Sequence, residues 1–147
     1  MTKNGAAKSI MVFSLLGALN GGYLTYVFWK NTFGSGGSSF CDINSLFSCS
    51  SVVTSPYAQF FGAPVCSWAI AVYLIMVLLA YKALKKTAAK GYFYAISVLS
   101  GMGIMMNVIY LHNEWVFLST LCLLCTICLI FITMNLILSV MGHKAAK

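Results

Sequence analysis

Four of the six cysteines form two pairs whose spacing allows redox chemistry. Cys41 and Cys49 have seven residues between them, and Cys122 and Cys125 form a Cys-Leu-Leu-Cys motif. On a helix, residues i and i+3 share a face and lie about 4.5 Å apart along the axis, within disulfide range. Near a helix N-terminus, free amides and the helix dipole stabilise the reactive thiolate. Two such pairs in series at a membrane surface would carry electrons from proteins to a quinone.

Other interpretations of the cysteines remain open at this point. Cysteine is often a small buried apolar residue, and we assign that role to Cys66 and Cys128. The loop pair is also compatible with a static disulfide, and the Cys-Leu-Leu-Cys pair with two core residues at helical spacing. Zinc is a weaker alternative because structural zinc sites usually use two Cys-x2–4-Cys pairs, and the Cys41–Cys49 spacing is longer. We therefore predict no metal site.

The composition requires a membrane around these cysteines. The 147 residues are 61% apolar and only 7% charged, whereas soluble domains carry roughly 25% charged residues. This balance excludes both a water-soluble globule and a disordered chain. Uncharged apolar runs predict four helices that each cross about 30 Å of hydrocarbon, at about 9–29, 63–81, 91–111 and 118–140. The predicted fold is an all-α integral membrane protein, a four-transmembrane-helix bundle forming a single domain over residues 1–147.

The lysines predict the orientation of this bundle. The net charge is +7 without a single Arg, and with four spans eight of the nine lysines fall on one face: Lys3, Lys8, Lys82, Lys85, Lys86, Lys90, Lys144 and Lys147. Because cytoplasmic loops are enriched in Lys and Arg, both termini and the 82–90 loop are predicted to be cytoplasmic. These lysines flank spans instead of forming one basic surface, so we predict no nucleic-acid binding.

The long outer segment, residues 31–62, is then extracytoplasmic, together with the turn at 112–118. All four redox cysteines fall on this side, where disulfides persist. The segment opens with a flexible stretch, Gly34–Ser39, whose glycines and serines bend freely. The part from Phe40 to Phe61 is apolar enough to predict a short amphipathic helix that caps the outer face of the bundle. We expect the first span to be retained, because about 21 apolar residues exceed the core of a signal peptide.

Several motifs occur together along nearly the whole chain. Cys49-x5-Ser55-Pro56 follows the loop pair, Gly62-Ala-Pro64 opens the second span, and Tyr110-Leu111 closes the third. The Cys122-Leu-Leu-Cys125 motif follows near the start of the fourth span. In this combination the chain resembles the vitamin K epoxide reductase family, in its prokaryotic disulfide-generating branch.

The resemblance implies a role for each matched cysteine. Cys41 and Cys49 would exchange with a thioredoxin-fold protein, and Cys49 would pass electrons to Cys122. Cys125 would reduce a quinone, either ubiquinone or menaquinone. We expect the partner to be a separate DsbA-like protein, since many bacterial members carry a fused thioredoxin-like domain and these residues do not.

The predicted quinone contacts are Ser55, which matches a family serine near the relay, and Tyr57 and Trp68, which are chosen by placement. Asn107 and Tyr110 are further candidates on the same basis. The predicted function is therefore a quinone-dependent thiol–disulfide oxidoreductase of the cell membrane. The alternative from another class is a non-enzymatic membrane assembly protein whose loop carries a static disulfide. An exchangeable Cys41–Cys49 bond distinguishes the first from the second.

Overall fold

The computed structural model describes residues 2–34, 37, 39–44 and 46–146. Four long helices form its body: α1 (Lys3–Phe33), α3 (Val65–Lys85), α4 (Lys90–Asn113) and α5 (Leu123–Ala145). Each is long and apolar enough to cross a membrane. The predicted all-α, four-helix membrane bundle is therefore confirmed, and the half-exposed Leu, Ile, Val and Met side chains on its outside form the surface that faces lipid.

The segment between α1 and α3 is built from short elements. It contains α2 (Cys49–Thr54), a 3₁₀ turn (Pro56–Ala58), and a two-stranded antiparallel hairpin of β1 (Gln59–Phe60) and β2 (Ala63–Pro64). The expected short helix is thus α2, and its buried Cys49, Val52 and Val53 lie on one side. Gly62 closes the hairpin with a φ of +76°, a conformation that favours glycine. The predicted flexible stretch Gly34–Ser39 includes residues 35, 36 and 38, which lie outside the described residues.

Two helix starts differ from the predicted boundaries for local reasons. α1 begins earlier than residue 9, because the hydroxyl of Thr2 accepts a hydrogen bond from the Gly5 N–H at 3.3 Å and caps the helix. α5 begins later than residue 118, because Ser119 has a left-handed backbone (φ +50°) and Cys122 an extended one. A π-helical turn over Glu114–Leu118 continues α4 instead. Cys122 is consequently the residue immediately before α5.

Small residues bring α1 close to α3. A methyl group added at Gly17 would collide with the ring of Tyr73, and one at Gly21 would lie 3.2 Å from the carbonyl oxygen of Cys66. Tyr73 is held in place because its hydroxyl donates a hydrogen bond to the backbone carbonyl of Cys128 at 3.0 Å. Close approach through small residues is how helices associate in lipid, and here it joins α1, α3 and α5.

Buried polar side chains connect the remaining helix pairs. Asn135 on α5 donates its Nδ2–H to the hydroxyl of Ser14 on α1 at 3.1 Å. The hydroxyls of Ser97 on α4 and Ser139 on α5 lie 2.8 Å apart. Interhelical hydrogen bonds of this kind contribute about 0.6–2 kcal/mol each in a membrane. They fix the rotation of α4 and α5, and so the direction in which the residues at the start of α5 point.

The two termini and the α3–α4 loop lie at one end of the bundle. Lys3 Nζ donates a hydrogen bond to the backbone carbonyl of Lys86 at 2.9 Å, and the ring of His143 lies 3.2 Å from the carbonyl of Lys90. The lysine-rich end is therefore opposite the end that carries α2 and the start of α5. That this end is cytoplasmic remains a prediction from the lysine distribution.

We expect Gly17→Ala to destabilise the protein by about 1–3 kcal/mol, the usual cost of forcing extra volume into a packed interior. The ring of Tyr73 cannot retreat without breaking its hydrogen bond to Cys128. Gly22→Ala on the same helix is the matched control, since nothing lies within 4 Å of the added methyl group. Thermal unfolding of the two variants in detergent measures the difference. Equal melting temperatures would contradict this packing.

Candidate functional site

Cys41 and Cys49 form a disulfide in the segment between α1 and α3. Their Cα atoms lie 5.8 Å apart, and neither residue has exposed surface. They belong to a buried cluster that also contains Leu24, Val52 and Cys122. Because the disulfide is covered on all sides, exchange with a thiol of another protein requires this segment to open.

Asp42 organises the disulfide segment. Its Oδ2 accepts hydrogen bonds from the Ser39 N–H at 2.6 Å and the Ser50 hydroxyl at 2.7 Å. Its Oδ1 accepts from the Ser48 hydroxyl at 2.9 Å and the Ser50 N–H at 3.0 Å. Partial burial raises the pKa of Asp42, but the hydrogen bonds from Ser50, Ser39 and Ser48 outweigh it and hold this pKa well below its usual range. The carboxylate thus ties together the chain on both sides of the disulfide.

The disulfide segment packs directly on the residues that precede α5. The Leu121 N–H donates a hydrogen bond to the Leu46 carbonyl at 2.8 Å, and Phe47 forms a parallel bridge with Leu121. Leu121 is the neighbour of Cys122, so this backbone pairing brings the loop cysteines to the start of α5. The structure therefore collects Cys41, Cys49 and Cys122, which are distant in sequence, in one buried cluster, and Cys125 packs against its edge.

Cys122 and Cys125 are both free thiols at the beginning of α5. The extended Cys122 ends the linker, and Cys125 lies in the first helical turn. Cys122 belongs to the buried cluster against which Cys125 packs. Because Cys122 is extended and precedes the helix, the two cysteines do not occupy the i and i+3 positions of one helix as the spacing predicted. Formation of a disulfide between them remains a prediction.

Glu114 lies beside this pair, in the turn at 112–118 that the sequence predicts to be extracytoplasmic. It is 5% exposed, and its Oε2 accepts a hydrogen bond from the Cys122 N–H at 3.1 Å. Glu114 and Cys125 both line the cavity described below. The π-helical turn that begins at Glu114 carries the chain from α4 toward α5. Burying an acidic residue beside an apolar span costs free energy, so such a residue often marks a functional site. The position of Glu114 next to the third span was therefore a signal in the sequence that the predictions did not use.

A cavity of about 290 Å³ opens beside Cys125. Its wall is mostly apolar and combines residues of all five helices with the hairpin segment. Trp68, Met102 and Met106 line the cavity and are also exposed on the outside of the bundle. The cavity therefore reaches the surface that faces lipid, as required for a ligand that arrives from the bilayer.

The three predicted quinone contacts, Ser55, Tyr57 and Trp68, all line this cavity. The Ser55 hydroxyl already donates to the Val52 carbonyl at 2.7 Å, so it closes α2. The ring of Tyr57 stacks on Phe117, with centroids 4.8 Å apart, and Trp68 Nε1 donates to the Phe60 carbonyl at 3.2 Å. These side chains shape the cavity mouth, and their contact with a ligand remains a prediction.

Asn107, a further candidate on the cavity wall, offers an unused polar atom. Its Oδ1 is buried and has no hydrogen-bond partner among residues 2–34, 37, 39–44 and 46–146. A buried acceptor without a partner is costly, and a ligand hydroxyl that donates to it removes the cost. A quinone carries only acceptors, so this oxygen suits a hydroxyl of the reduced quinol. The apolar cavity beside the thiol pair fits the ring of either form.

Cys66 and Cys128 also line the cavity, but their surroundings are those of packed side chains. The sulfur of Cys128 accepts a hydrogen bond from Asn20 Nδ2 at 2.9 Å, and Cys66 is partly buried at the start of α3. Within the described part of the chain, no group of three or more His, Cys, Asp or Glu residues is arranged to hold a metal ion. Because Cys41 and Cys49 are joined in a disulfide, they do not offer two thiolates to a metal ion in this state.

We expect Cys66→Ala and Cys128→Ala each to keep at least about half of the wild-type turnover, because neither cysteine is joined to the loop disulfide. Alanine fills most of the space of cysteine, so the loss should be one of packing, within about 1–2 kcal/mol of stability. The measurement is thiol oxidation by each purified variant. Complete inactivity of a stably folded Cys128→Ala protein would show that this thiol takes part in electron transfer.

Asp42→Asn should loosen the disulfide segment, because an amide cannot accept hydrogen bonds at both of its terminal atoms. The pKa of the folded Asp42 is lowered, so its stabilisation is complete above the ordinary carboxyl pKa of about 4 and is lost as the pH falls below it. We expect faster hydrogen exchange at the Ser50 amide in the variant at pH 7. Ser51→Ala, which leaves the Asp42 contacts intact, is the control. Unchanged protection of Ser50 in Asp42→Asn would contradict this role.

Comparison with protein families gives one further finding. The model of the Vitamin K epoxide reductase family matches residues 8–140, which include all six cysteines, Glu114 and the four long helices almost completely. No curated protein matches the chain.

Proposed function

This chain belongs to the vitamin K epoxide reductase family, and we propose that it is a membrane enzyme that oxidises the thiols of a thioredoxin-fold protein and reduces a quinone. The proposal rests on three features that lie next to one another in the structure. They are the loop disulfide, the thiol pair at the start of α5 and the apolar cavity beside Cys125. Electrons need such a sequence of sites to pass from a protein in water to a molecule in lipid.

The first step belongs to the loop pair. A partner dithiol attacks the Cys41–Cys49 disulfide through a mixed disulfide, leaving an oxidised partner and two loop thiols. Because both loop cysteines are buried, the segment from residue 39 to residue 50 must open for this exchange. The Asp42 network allows it to close again in one defined shape.

The second step transfers the electrons within the chain. The Cys49 thiolate attacks a Cys122–Cys125 disulfide at Cys122, and Cys125 leaves as a thiol once it gains a proton. Cys41 then attacks Cys49, which reforms the loop disulfide and releases Cys122. The products are a Cys41–Cys49 disulfide and free Cys122 and Cys125, the same combination found in the structure.

The third step occurs at the cavity. A bound quinone supplies a two-electron, two-proton acceptor. Asn107 is placed to accept a hydrogen bond from the quinol hydroxyl through its unpaired Oδ1, while Tyr57 and Trp68 would keep water from the cavity mouth. Cys125 is the member of the α5 pair that lines the cavity and would face the ligand, and Cys122 would close the disulfide behind it. The cycle thus returns the α5 pair to the form that accepts electrons from the loop.

The side of the membrane follows from the same proposal. Residues 1–147 act as a single domain in the cell membrane, with both termini in the cytoplasm and the redox cysteines outside. The lysine-rich end of the bundle supports this orientation, because positive charge is retained in the cytoplasm. The partner is a DsbA-like thioredoxin-fold unit, and the quinone is ubiquinone or menaquinone.

The test is oxidation of a reduced thioredoxin-fold protein by the purified chain. We expect steady turnover with ubiquinone or menaquinone, none without quinone, and none with Cys41→Ser or Cys122→Ser. The burial of the loop disulfide favours one competing function, a non-enzymatic assembly protein with a static bond. That function predicts a Cys41–Cys49 disulfide that persists when reduced partner is added, with or without quinone.

A further inference from the structure

We infer that Glu114 is the proton acceptor for the Cys122–Cys125 thiols, taking the Cys125 proton when their disulfide forms and returning it when the disulfide opens. This inference deepens the proposed function and rests on the same thiol pair. The transfer of electrons between the cysteines, as described above, assigns no role to Glu114.

The position of the carboxyl group carries the inference. Glu114 is nearly fully buried, and its Oε2 is held by the Cys122 N–H at 3.1 Å. Glu114 and Cys125 both line the wall of the same cavity. One carboxyl group therefore contacts the backbone of the first cysteine and borders the cavity into which the second cysteine opens. A purely structural cap would need only the contact with the Cys122 backbone.

The surroundings leave few other acceptors for this proton. Among the described residues, the other titratable groups on the cavity wall are the thiols of Cys66, Cys125 and Cys128 and the phenols of Tyr57, Tyr73 and Tyr110, with no Lys or His. Cys122 lies in the buried cluster against which Cys125 packs. A thiolate next to a carboxylate places two negative charges together, which is unfavourable in a buried site. Transfer of the thiol proton to the carboxylate avoids this second charge.

Formation of the Cys122–Cys125 disulfide needs no reactant other than the disulfide oxidant. When Cys125 attacks a mixed disulfide on Cys122, one S–S bond breaks and the Cys122–Cys125 bond forms. The Cys125 S–H bond also breaks, and its proton moves to a Glu114 carboxylate oxygen. The leaving group departs with the electron pair of the broken S–S bond and takes up a proton. In the reverse direction Glu114 protonates the departing Cys125 sulfur.

The experiment uses the full chain with Cys66→Ala and Cys128→Ala, a closed Cys41–Cys49 disulfide and no quinone. The neutral disulfide 2,2′-dithiodipyridine oxidises the remaining two thiols and releases two equivalents of thiopyridone, which are followed by absorbance. We expect Glu114→Gln to slow disulfide formation by about 100-fold, the usual scale of general-base catalysis. Gln keeps an oxygen acceptor for the Cys122 N–H, so the fold should be preserved.

Two further variants separate proton transfer from structure. Glu114→Asp retains a carboxylate and should recover at least about a tenth of the rate lost in Glu114→Gln. His112→Asn changes an exposed residue nearby and should leave the rate unaltered. In Glu114→Gln the remaining rate should rise about tenfold per pH unit, because only solvent accepts the proton. If Glu114→Gln lowers the folded yield, Glu114→Asp decides alone. Its rate should then rise by less than tenfold per pH unit.

Equal rates and equal pH profiles for Glu114→Gln and the parent protein would overturn the inference. Because no quinone is present, this outcome leaves the proposed function standing if the parent protein still turns over with quinone and partner. Conversely, a slow Glu114→Gln variant in a protein without quinone turnover would support the proton role and reject the proposed function.

Discussion

Cys125→Ser is expected to abolish turnover and to accumulate a disulfide between Cys49 and Cys122. Exchange proceeds through mixed disulfides, so removal of one cysteine of the accepting pair stops the reaction at the bond that cannot be resolved. The structure supports this connection, because Cys49 and Cys122 belong to one buried cluster and Leu121 is hydrogen-bonded to Leu46 of the loop. In the variant, Cys41 is left free and can hold a partner protein.

Non-reducing peptide mapping of the Cys125→Ser protein, after addition of reduced partner, measures the bond directly. Cys122→Ser is the matched control, since it removes the cysteine that Cys49 attacks and should leave no such internal bond. A Cys125→Ser protein in which Cys41 and Cys49 remain bonded only to each other would reject the relay and favour a static loop disulfide.

Ala69→Phe is expected to lower quinone-dependent turnover by at least about tenfold. Ala69 lines the cavity, and a phenyl ring there would occupy much of the space of about 290 Å³ that we assign to the quinone head group. The loop cysteines Cys41 and Cys49 are not among the residues that line the cavity, so disulfide exchange between loop and partner should persist in single turnovers. The loss should appear as a raised KM for quinone with short-chain analogues.

Ala71→Phe is the matched control for this change. Ala71 lies two residues further along α3 and is exposed on the outside of the bundle, where an added ring meets lipid. We expect it to retain wild-type turnover and KM. If both variants behave alike, the cavity is not the quinone site, and the reaction with quinone must take place elsewhere on the chain.

The sequence predicted the membrane architecture well because the forces that determine it are local and additive. Long uncharged runs leave a helix as the only way to satisfy the backbone in lipid, so the four spans followed directly from composition. The start of α5 was less predictable. Its position depends on the left-handed Ser119 and the π-helical turn beginning at Glu114, and nothing in apolar periodicity distinguishes those residues from helix.

The candidate site was predicted in its cysteines but not in its carboxylates. Cysteine spacing identified the pairs, because a disulfide needs two matched residues. Glu114 and Asp42 were not predicted as site residues, since their roles depend on tertiary contacts. Glu114 meets the Cys122 backbone through the packing of α4 on α5, and Asp42 meets Ser50 through the fold of the loop.

The most direct test of the account is a single-turnover measurement of electrons under anaerobic conditions. The Cys66→Ala, Cys128→Ala protein, carrying one bound equivalent of quinone, is mixed with one equivalent of reduced thioredoxin-fold protein, and the ultraviolet absorbance of the quinone is followed. The account predicts one quinone reduced for each partner disulfide formed, with the Cys41–Cys49 disulfide and the two free thiols of α5 restored at the end. Partner that stays reduced, or becomes oxidised while the quinone absorbance does not change, would contradict it.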